Sequence, residues 1–389
     1  MQGPDRPAIL HVIENLREAH GGPTFAAIGL ALQQAASGSR VAIACREGPS
    51  TAEMRERLRD ASRHPPVAII EVPSPSASSV GQVVEGFDPW MVHVHGIWDP
   101  MIRASVRALR ARGVPWVVTS HGMLHPDALA KRRLAKWAYL RFACRVVRDA
   151  RHVMVLNRGE RDFVSSRLRR PCSIIPAGVD VEPAPPMATG AFRRSMPALG
   201  DRPFVMFLGR IDRIKGIDLL LDAYALALRS GLGMDLVIAG PEFGAGESVR
   251  ARIRALGLDG RVHMAGALWG LRKSEALAEC AIYAHRPRYE GYGLAVVEAM
   301  AAGRPVVTTA ACRLDAAREA GAIHVAADDD RAFADALAEL ATDPRRASEL
   351  GARAHAWVVA HGGWPAIARQ VDAAYRDSGP PGPGTPPPR

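Results

Sequence analysis

Short apolar segments alternate with longer amphipathic segments along most of the chain, a pattern typical of repeated strand and helix units. In the first half the pattern predicts strands near residues 8–13, 41–45, 67–72, 91–94, 116–120, 152–156 and 173–176. In the second half it predicts strands near residues 203–209, 234–239, 262–265, 282–284, 305–308 and 323–325. Because helical spacing separates most of these strands, we expect parallel sheets of the α/β class.

The chain of 389 residues is longer than one hydrophobic core normally supports, so we expect two domains. The predicted domains cover residues 1–182 and 201–362. Between them, residues 183–200 begin in a proline-rich stretch suited to a linker. The tail, residues 379–389, is mostly proline and glycine and should be disordered.

One segment in the second half carries the strongest functional signal. Glu290 and Glu298 are separated by seven residues and bracket a Gly-x-Gly turn. The run that begins at Leu294 predicts a short helix, whose free N–H groups and dipole favour an anion. Gly291 and Gly293 would let a phosphate approach the main chain closely. Both carboxylates could then accept hydrogen bonds from hydroxyls on either side of the phosphate, as in a nucleoside diphosphate sugar.

This segment resembles the E-x7-E signature of the retaining glycosyltransferases of family 4. The resemblance extends over roughly residues 8–377 and implies two Rossmann-like doubly wound domains facing a cleft, the GT-B architecture. Residues 1–182 would form the acceptor-side domain and residues 201–362 the donor-binding domain. A last helix over residues 363–377 would pack back on the first domain.

The implied activity is transfer of a sugar from a nucleotide-diphosphate sugar, with retention of the anomeric configuration. Glu290 would hold hydroxyls of the transferred sugar, and Glu298 those of the ribose. Further donor contacts would come from Gly291, Tyr292, Gly293 and Leu294. The alternative is an ordinary strand, turn and helix with two solvated glutamates.

A second motif follows the predicted strand 203–209. Arg210 and Lys215 come directly after it, and doubly wound sheets place ligands at the carboxyl ends of their strands. Lysine is rare in this chain, with four residues in all, although arginine is abundant. The family resemblance implies that both cations grip the donor diphosphate as catalytic residues. The alternative is a basic loop on a basic protein.

Several glycines and histidines stand at other predicted strand ends. Gly21 and Gly22 precede a predicted helix and would let the backbone pass close to the donor, although they also fit an ordinary turn. The resemblance implies that His121 lies beside the transferred sugar as a fourth catalytic residue, with Arg210, Lys215 and Glu290. His95 has a similar position at a predicted strand end, but less supports a functional role for it.

Composition limits the class of protein. With 48% hydrophobic and 23% charged residues the chain is globular. Its five scattered cysteines indicate neither a disulfide framework nor a metal site, and they favour a reducing cytoplasm. No signal peptide and no uninterrupted apolar stretch long enough to span a membrane is visible.

The formal net charge is +10, and residues 131–151 hold eight of the basic residues against one acid. Helical spacing would align Arg141, Arg145 and Arg148 in a stripe opposite apolar positions that include Val146 and Val147. Such a stripe could bind anionic lipid on the inner face of the membrane, or it could simply be solvated. Nucleic acid is disfavoured because no recognised binding module accompanies the charge.

We expect no cofactor other than the nucleotide-sugar co-substrate, and no metal, because fixed cations already face the diphosphate. The expected acceptor is a sugar or a lipid-linked sugar, in surface polysaccharide or glycolipid assembly. Three alternatives stay open: a nucleotide-sugar epimerase of the same architecture, a dinucleotide-dependent oxidoreductase and a non-catalytic sugar-nucleotide-binding protein. The oxidoreductase is disfavoured because the turn after the first strand lacks the G-x-G-x-x-G spacing.

Overall fold

A computed structural model describes residues 7–17, 21–46, 58, 66–130, 145–181 and 189–378. The chain forms two compact units. The first unit contains the chain up to Gly178 and again from Trp364 onward, and the second unit contains Val179–Gly363.

The described part of the first unit is built on a parallel sheet in the order β3-β2-β1-β4-β5-β6-β7. Its strands are β1 (Ala8–Val12), β2 (Arg40–Cys45), β3 (Ala68–Glu71), β4 (Met91–His95), β5 (Trp116–Thr119), β6 (His152–Val155) and β7 (Ser173–Ile174). Its helices are α1 (Gly22–Ala36), α2 (Ala77–Phe87), α3 (Pro100–Arg112), α4 (Pro126–Ala130), α5 (Arg158–Arg167) and, from the end of the chain, α14 (Trp364–Ser378).

The second unit repeats this plan with a parallel sheet in the order β10-β9-β8-β11-β12-β13. Its strands are β8 (Phe204–Leu208), β9 (Asp235–Ala239), β10 (Val262–Gly266), β11 (Ile282–His285), β12 (Val306–Thr309) and β13 (His324–Ala326). Its helices are α6 (Ala191–Arg194), α7 (Ile217–Arg229), α8 (Gly246–Ala255), α9 (Gly270–Glu279), α10 (Leu294–Ala301), α11 (Asp315–Glu319), α12 (Asp330–Thr342) and α13 (Pro344–His361).

Both sheets reverse their strand order at one point, between β1 and β4 in the first unit and between β8 and β11 in the second. The α/β class with two doubly wound parallel sheets is confirmed, and the observed strand ends differ from the predicted ones by at most two residues. The apolar pattern was reliable because most of these strands are buried on both faces. At such a reversal the two neighbouring connections leave on opposite faces, which opens a crevice at the carboxyl ends of the strands.

The boundary between the units differs from the predicted linker over 183–200. From residue 189 onward this segment belongs to the second unit, because Phe192 is buried and the backbone N–H groups of Phe192 and Arg193 donate to the Glu279 carboxylate. Residues 182–188 and the proline-rich tail over 379–389 lie outside the described residues.

Helix α14 packs on the face of the first sheet that also carries α1. Its apolar residues Ile367, Val371 and Tyr375 share a core with Ile9 and Met91 of the strands. The indole of Trp364 lies so close to two glycines, Gly29 and Gly178, that neither position has room for a side chain. Within the described residues, no helix is both long enough and apolar enough to cross a membrane.

The close packing at Trp364 gives a stability prediction. Gly29 lies inside α1, and a Cβ added there would be 2.0 Å from the Trp364 ring. We expect Gly29→Ala to lower the free energy of unfolding by about 1–3 kcal/mol, the usual cost of overpacking. Gly86, in the exposed last turn of α2, has no atom within 4 Å of such a Cβ, so Gly86→Ala should stabilise by about 0.5–1 kcal/mol. Urea unfolding of both variants checks this, and equal stability of Gly29→Ala and wild type would contradict the packing.

Candidate functional site

The loop after β8 brings Lys215 to the point where the second sheet reverses. A short 3₁₀ turn, Arg213–Lys215, begins at Asp212, whose carboxylate accepts the N–H of Ile214 at 3.1 Å. Gly216 then has φ 63°, and a Cβ there would lie 2.1 Å from the Arg286 carbonyl oxygen. The backbone after Lys215 can therefore approach the loop after β11 this closely only with glycine at position 216.

Glu290 lies in that neighbouring loop, after β11. Its Oε2 forms an ion pair with Lys215 and lies 3.3 Å from Nε2 of His285. Burial alone would raise the pKa of Glu290, but the charges and hydrogen bonds of Lys215 and His285 outweigh it, so the pKa lies well below its usual value. Glu290 is thus ionised, and both of these contacts use the same oxygen.

Two arginines hold the Glu290 loop in place. Arg288 donates its backbone N–H to the Ile214 carbonyl at 3.0 Å and forms a bidentate pair with Asp218 at 2.6 Å. The buried guanidinium of Arg286 donates to the Leu219 carbonyl at 2.9 Å and pairs with Asp328 and Asp330. Asp329 caps the start of α12 by accepting the N–H of Ala332 at 2.8 Å. Its neighbours Asp328 and Asp330 have the additional contact with Arg286, which the sequence did not indicate.

Glu298 lies in the second turn of α10, which begins at Leu294 after Gly293 in the left-handed conformation (φ 72°). Among the described residues, no side chain caps this helix start. Glu298 Oε1 accepts a 2.8 Å hydrogen bond from Lys273 of α9. A second Lys–Glu pair therefore accompanies Lys215–Glu290 in the same unit.

The remaining predicted residues of this unit have less specific surroundings. The Arg210 guanidinium lies 4.9 Å from the centre of the Phe243 ring and forms no ion pair within the described part of the chain. Tyr292 is buried, and its hydroxyl has no hydrogen-bond partner among the described residues. Gly291 lies in the same turn between Glu290 and Gly293.

In the first unit, His121 lies two residues after β5 in a loop with an uncommon backbone. Its φ is 51°, a left-handed value that costs a non-glycine residue on the order of 1–3 kcal/mol. The buried carboxylate of Glu160 holds this loop by accepting from the Ser120 hydroxyl at 2.8 Å and from the Leu124 N–H at 3.0 Å. Its other oxygen accepts from the Leu156 N–H at 2.9 Å. Burial raises the pKa of Glu160, although these hydrogen bonds oppose the shift.

His121 belongs to a cluster of histidines at the strand-order reversal of the first sheet. Its Nε2 lies 3.0 Å from Nδ1 of His95, and His95 Nε2 lies 2.9 Å from Nδ1 of His11. His93 stacks on His95 with ring centres 4.2 Å apart and contacts the Tyr375 hydroxyl at 2.7 Å. Burial lowers the pKa of His11 and of His121 to about 4.

Ring nitrogens of His11, His93 and His95 lie within 4.8 Å of one another, a spacing that could hold a metal ion. However, both ring nitrogens of each of these histidines already contact another side chain. A cation would therefore have to displace existing hydrogen bonds, so the donor set does not fit a resident metal.

Gly21 and Gly22 are at the start of α1. Gly21 has φ 74°, and a Cβ there would meet no atom within 4 Å. The structure thus shows open space at Gly21, and a ligand contact of either glycine stays a prediction.

Comparison with known proteins decides the family. Residues 21–178 match the family described as glycosyl transferase 4-like domain, and residues 190–357 match glycosyl transferases group 1. The chain belongs to the GT-B glycosyltransferases of the family-4 type. It is therefore an enzyme that transfers a sugar.

Individual relatives agree with this assignment. The glycosyltransferase is 28% identical to D-inositol 3-phosphate glycosyltransferase of Corynebacterium jeikeium over 80% of this chain and 79% of the relative. It is 27% identical to GDP-mannose:cellobiosyl-diphosphopolyprenol alpha-mannosyltransferase of Xanthomonas campestris, over 76% of each chain. Anabaena HepE, solved in complex with UDP and glucose, has the same fold, with a TM-score of 0.76, 18% identity and coverage of 95% of this chain and all of HepE.

Sequence patterns missed three residues that contact the candidate site. Lys273 and Glu160 contact predicted residues or their loop, but each lies 25 or more positions away in sequence from its partners Glu298 and Ser120. His11 resembled a core position in an apolar strand. The alternation Val-His-Val-His over residues 92–95 was the one available signal, since it puts two histidines on one face of β4.

Proposed function

We propose that this glycosyltransferase moves a hexose from a nucleoside-diphosphate sugar to an acceptor, with retention of the anomeric configuration and without a metal ion. The arrangement of Lys215 and Glu290 beside the start of α10 carries the proposal. It combines a fixed cation, an ionised carboxylate and a free helix N-terminus at a strand-order reversal. These features match the diphosphate and the flanking hydroxyls of such a donor.

The leaving diphosphate gains negative charge as the glycosidic bond breaks. Lysine has three N–H donors, so Lys215 can keep its contact with Glu290 and still donate to phosphate oxygens. Arg210 and the N–H groups at the start of α10 would add to this stabilisation. Fixed donors of this kind need no reorganisation during the reaction, and they take the role that a divalent cation has in other transferases.

The two glutamates would position the hydroxyls on either side of the diphosphate. Both described contacts of Glu290 use Oε2, which leaves Oε1 to accept from a hydroxyl of the transferred sugar. Lys273 holds one oxygen of Glu298, which leaves the other for a ribose hydroxyl. In each pair the lysine orients the carboxylate.

The acceptor we propose is a lipid-linked sugar or glycolipid in surface glycoconjugate assembly. The name of the Xanthomonas relative contains a diphosphopolyprenol-linked acceptor, and those of several other relatives contain inositol lipids or an inositol phosphate. An epimerase of the same architecture is the second candidate, because it would bind the same donor.

Product analysis tests the reaction. We expect one of a panel of UDP- and GDP-sugars to stabilise the protein by about 2.7 kcal/mol at a hundred times its dissociation constant. With a lipid-linked sugar present, NMR should show a product with the anomeric configuration of the donor, and activity should survive a chelator. An inverted product would exclude retention, and loss with chelator followed by rescue with Mg²⁺ would exclude the metal-free mechanism. A changed sugar formed without acceptor would favour the epimerase.

Substitutions in the two Lys–Glu pairs should distinguish an effect on turnover from an effect on donor binding. We expect Lys215→Met to lower kcat, because it removes a charge-assisted hydrogen bond worth about 1.5–3 kcal/mol that is needed most as the diphosphate leaves. Glu298→Ala is the matched variant and should weaken nucleotide binding by a similar free energy while sparing kcat at saturation. Steady-state kinetics and calorimetry measure both. A change in KM alone for Lys215→Met would contradict the role in the leaving-group step.

Attachment to an anionic membrane surface is proposed for the basic segment 131–151. Residues 131–144, including Arg141, lie outside the described residues, but Arg145 and Arg148 are exposed while Val146 and Val147 are buried. The double change Arg145→Glu with Arg148→Glu should reduce co-sedimentation with anionic vesicles, since each basic residue near such a surface contributes about 1 kcal/mol. If the wild-type protein does not sediment with these vesicles at low salt, the segment is a solvated face.

A further inference from the structure

The histidine cluster of the first unit lies on one face of the sheet. His11 of β1, His93 and His95 of β4 and Thr119 of β5 alternate with apolar residues that point to the opposite face. Helices α1 and α14 cover the histidine face, and α14 contributes Asp372 and Tyr375. His121, at the end of the cluster, lines a pocket of this unit together with Thr119 and Trp364.

At the end of the cluster opposite His121, the donor and the acceptor of each hydrogen bond can be assigned. The carboxylate of Asp372 can only accept, so it takes the amide N–H of Gln34 at 3.3 Å. This contact orients the buried Gln34 amide and turns its oxygen toward His11. Because an amide oxygen only accepts, the proton on His11 must be on Nε2, which lies 2.8 Å from that oxygen.

The protonation of His11 determines which ring donates in each of the following hydrogen bonds, as far as His121. A neutral His11 with its proton on Nε2 has a lone pair on Nδ1, so His95 must donate from Nε2 over 2.9 Å. His95 then has its own lone pair on Nδ1, so His121 must donate from Nε2 over 3.0 Å. A neutral His121 is left with a lone pair on Nδ1.

Each ring is neutral near pH 7. Burial is the main cause that lowers the pKa of His11 and His121 to about 4 and holds the pKa of His95 well below its usual range. The rings therefore transmit tautomeric state and not charge.

We propose that a directional hydrogen-bond chain from Asp372 to His121 holds His121 as the Nε2–H tautomer, with Nδ1 as the acceptor for a hydroxyl of a sugar substrate. The hydroxyl contact rests on the proposed function, whereas the tautomer does not. Gln34, His11 and His95 are positioning residues, because they act through His121. The opposite tautomer would present an N–H donor at the same place, so the substrate hydroxyl would have to accept from His121 and direct its own proton elsewhere.

The wild-type protein gives a direct test. Long-range proton–nitrogen NMR of the isotopically labelled protein at neutral pH distinguishes ring nitrogens that carry a proton from those that do not. We expect His11, His95 and His121 all to carry the proton on Nε2, with assignments from single substitutions. A proton on Nδ1 in any of these rings would overturn the chain, and so would tight binding of zinc that is lost in His95→Phe.

A variant that reverses the hydrogen bonds of the chain tests whether the tautomer of His121 affects turnover. Gln34→Lys replaces the acceptor for His11 with a donor that Asp372 can pair with, so every proton in the chain should move to the other ring nitrogen. We expect His121 to become the Nδ1–H tautomer and kcat to fall by up to about tenfold, because the substrate hydroxyl could no longer donate to His121 and would have to accept from it, with nucleotide affinity unchanged.

The matched control keeps the original direction. Gln34→Glu with Asp372→Asn retains an acceptor toward His11 and a donor toward position 34, so His121 should stay Nε2–H and kcat should stay within about twofold of wild type. An unchanged His121 tautomer in a folded Gln34→Lys protein would overturn the proposal. If Gln34→Lys does not fold, the wild-type tautomers still decide it. If no transfer activity is found for wild type, the proposed function fails while the NMR result still tests the chain.

Discussion

Parallel strands that are buried on both faces leave little place for chemistry except their carboxyl ends. In this glycosyltransferase both sheets have that constraint, and both reverse strand order once, where neighbouring connections separate. Both candidate clusters of polar side chains lie at these two reversals. Lys215 and Glu290 follow β8 and β11, while His11 and His95 lie near the ends of β1 and β4.

The two reversals satisfy the same physical demand in different ways. A buried polar group needs a partner, and a buried charge needs an opposite charge with good geometry. The second unit meets this demand with ion pairs, since Glu290 is kept ionised by Lys215 and His285. The first unit meets it with neutral rings that bond to one another. Fixed charge suits a ligand as strongly charged as a diphosphate, whereas a neutral lone pair suits a hydroxyl.

The sequence predicted the strands and the residues within short motifs, for physical reasons that can be identified. Strand positions followed from apolar runs, because burial on both faces leaves an uninterrupted signal. Glu290 and Glu298 were found together because one turn and one helix connect them. The ion pair of Lys215 with Glu290, 75 positions apart, was not predicted, because local spacing has no information about such contacts. Lys273, Glu160 and His11 were missed for the same reason. The linker was predicted from the proline-rich stretch alone, which has no information about the contact between Phe192 and Glu279, 87 positions later.

Glu160 lies outside every recognisable motif, yet its contacts hold the loop of a predicted site residue, His121. The His121 backbone is in a conformation that an isolated loop would avoid, so the surrounding contacts must hold it there. Glu160 supplies two of them, to Ser120 and Leu124, through a single buried carboxylate. Its own position is fixed because it also accepts the N–H of Leu156 and because Asn157 caps α5 by accepting the N–H of Glu160 at 3.0 Å. The carboxylate thus retains its hydrogen bonds at the cost of desolvation, which is why its pKa is raised. The position of the His121 ring, and therefore its hydrogen bond to His95, depends on the start of α5. No residue of the predicted site lies in that helix start.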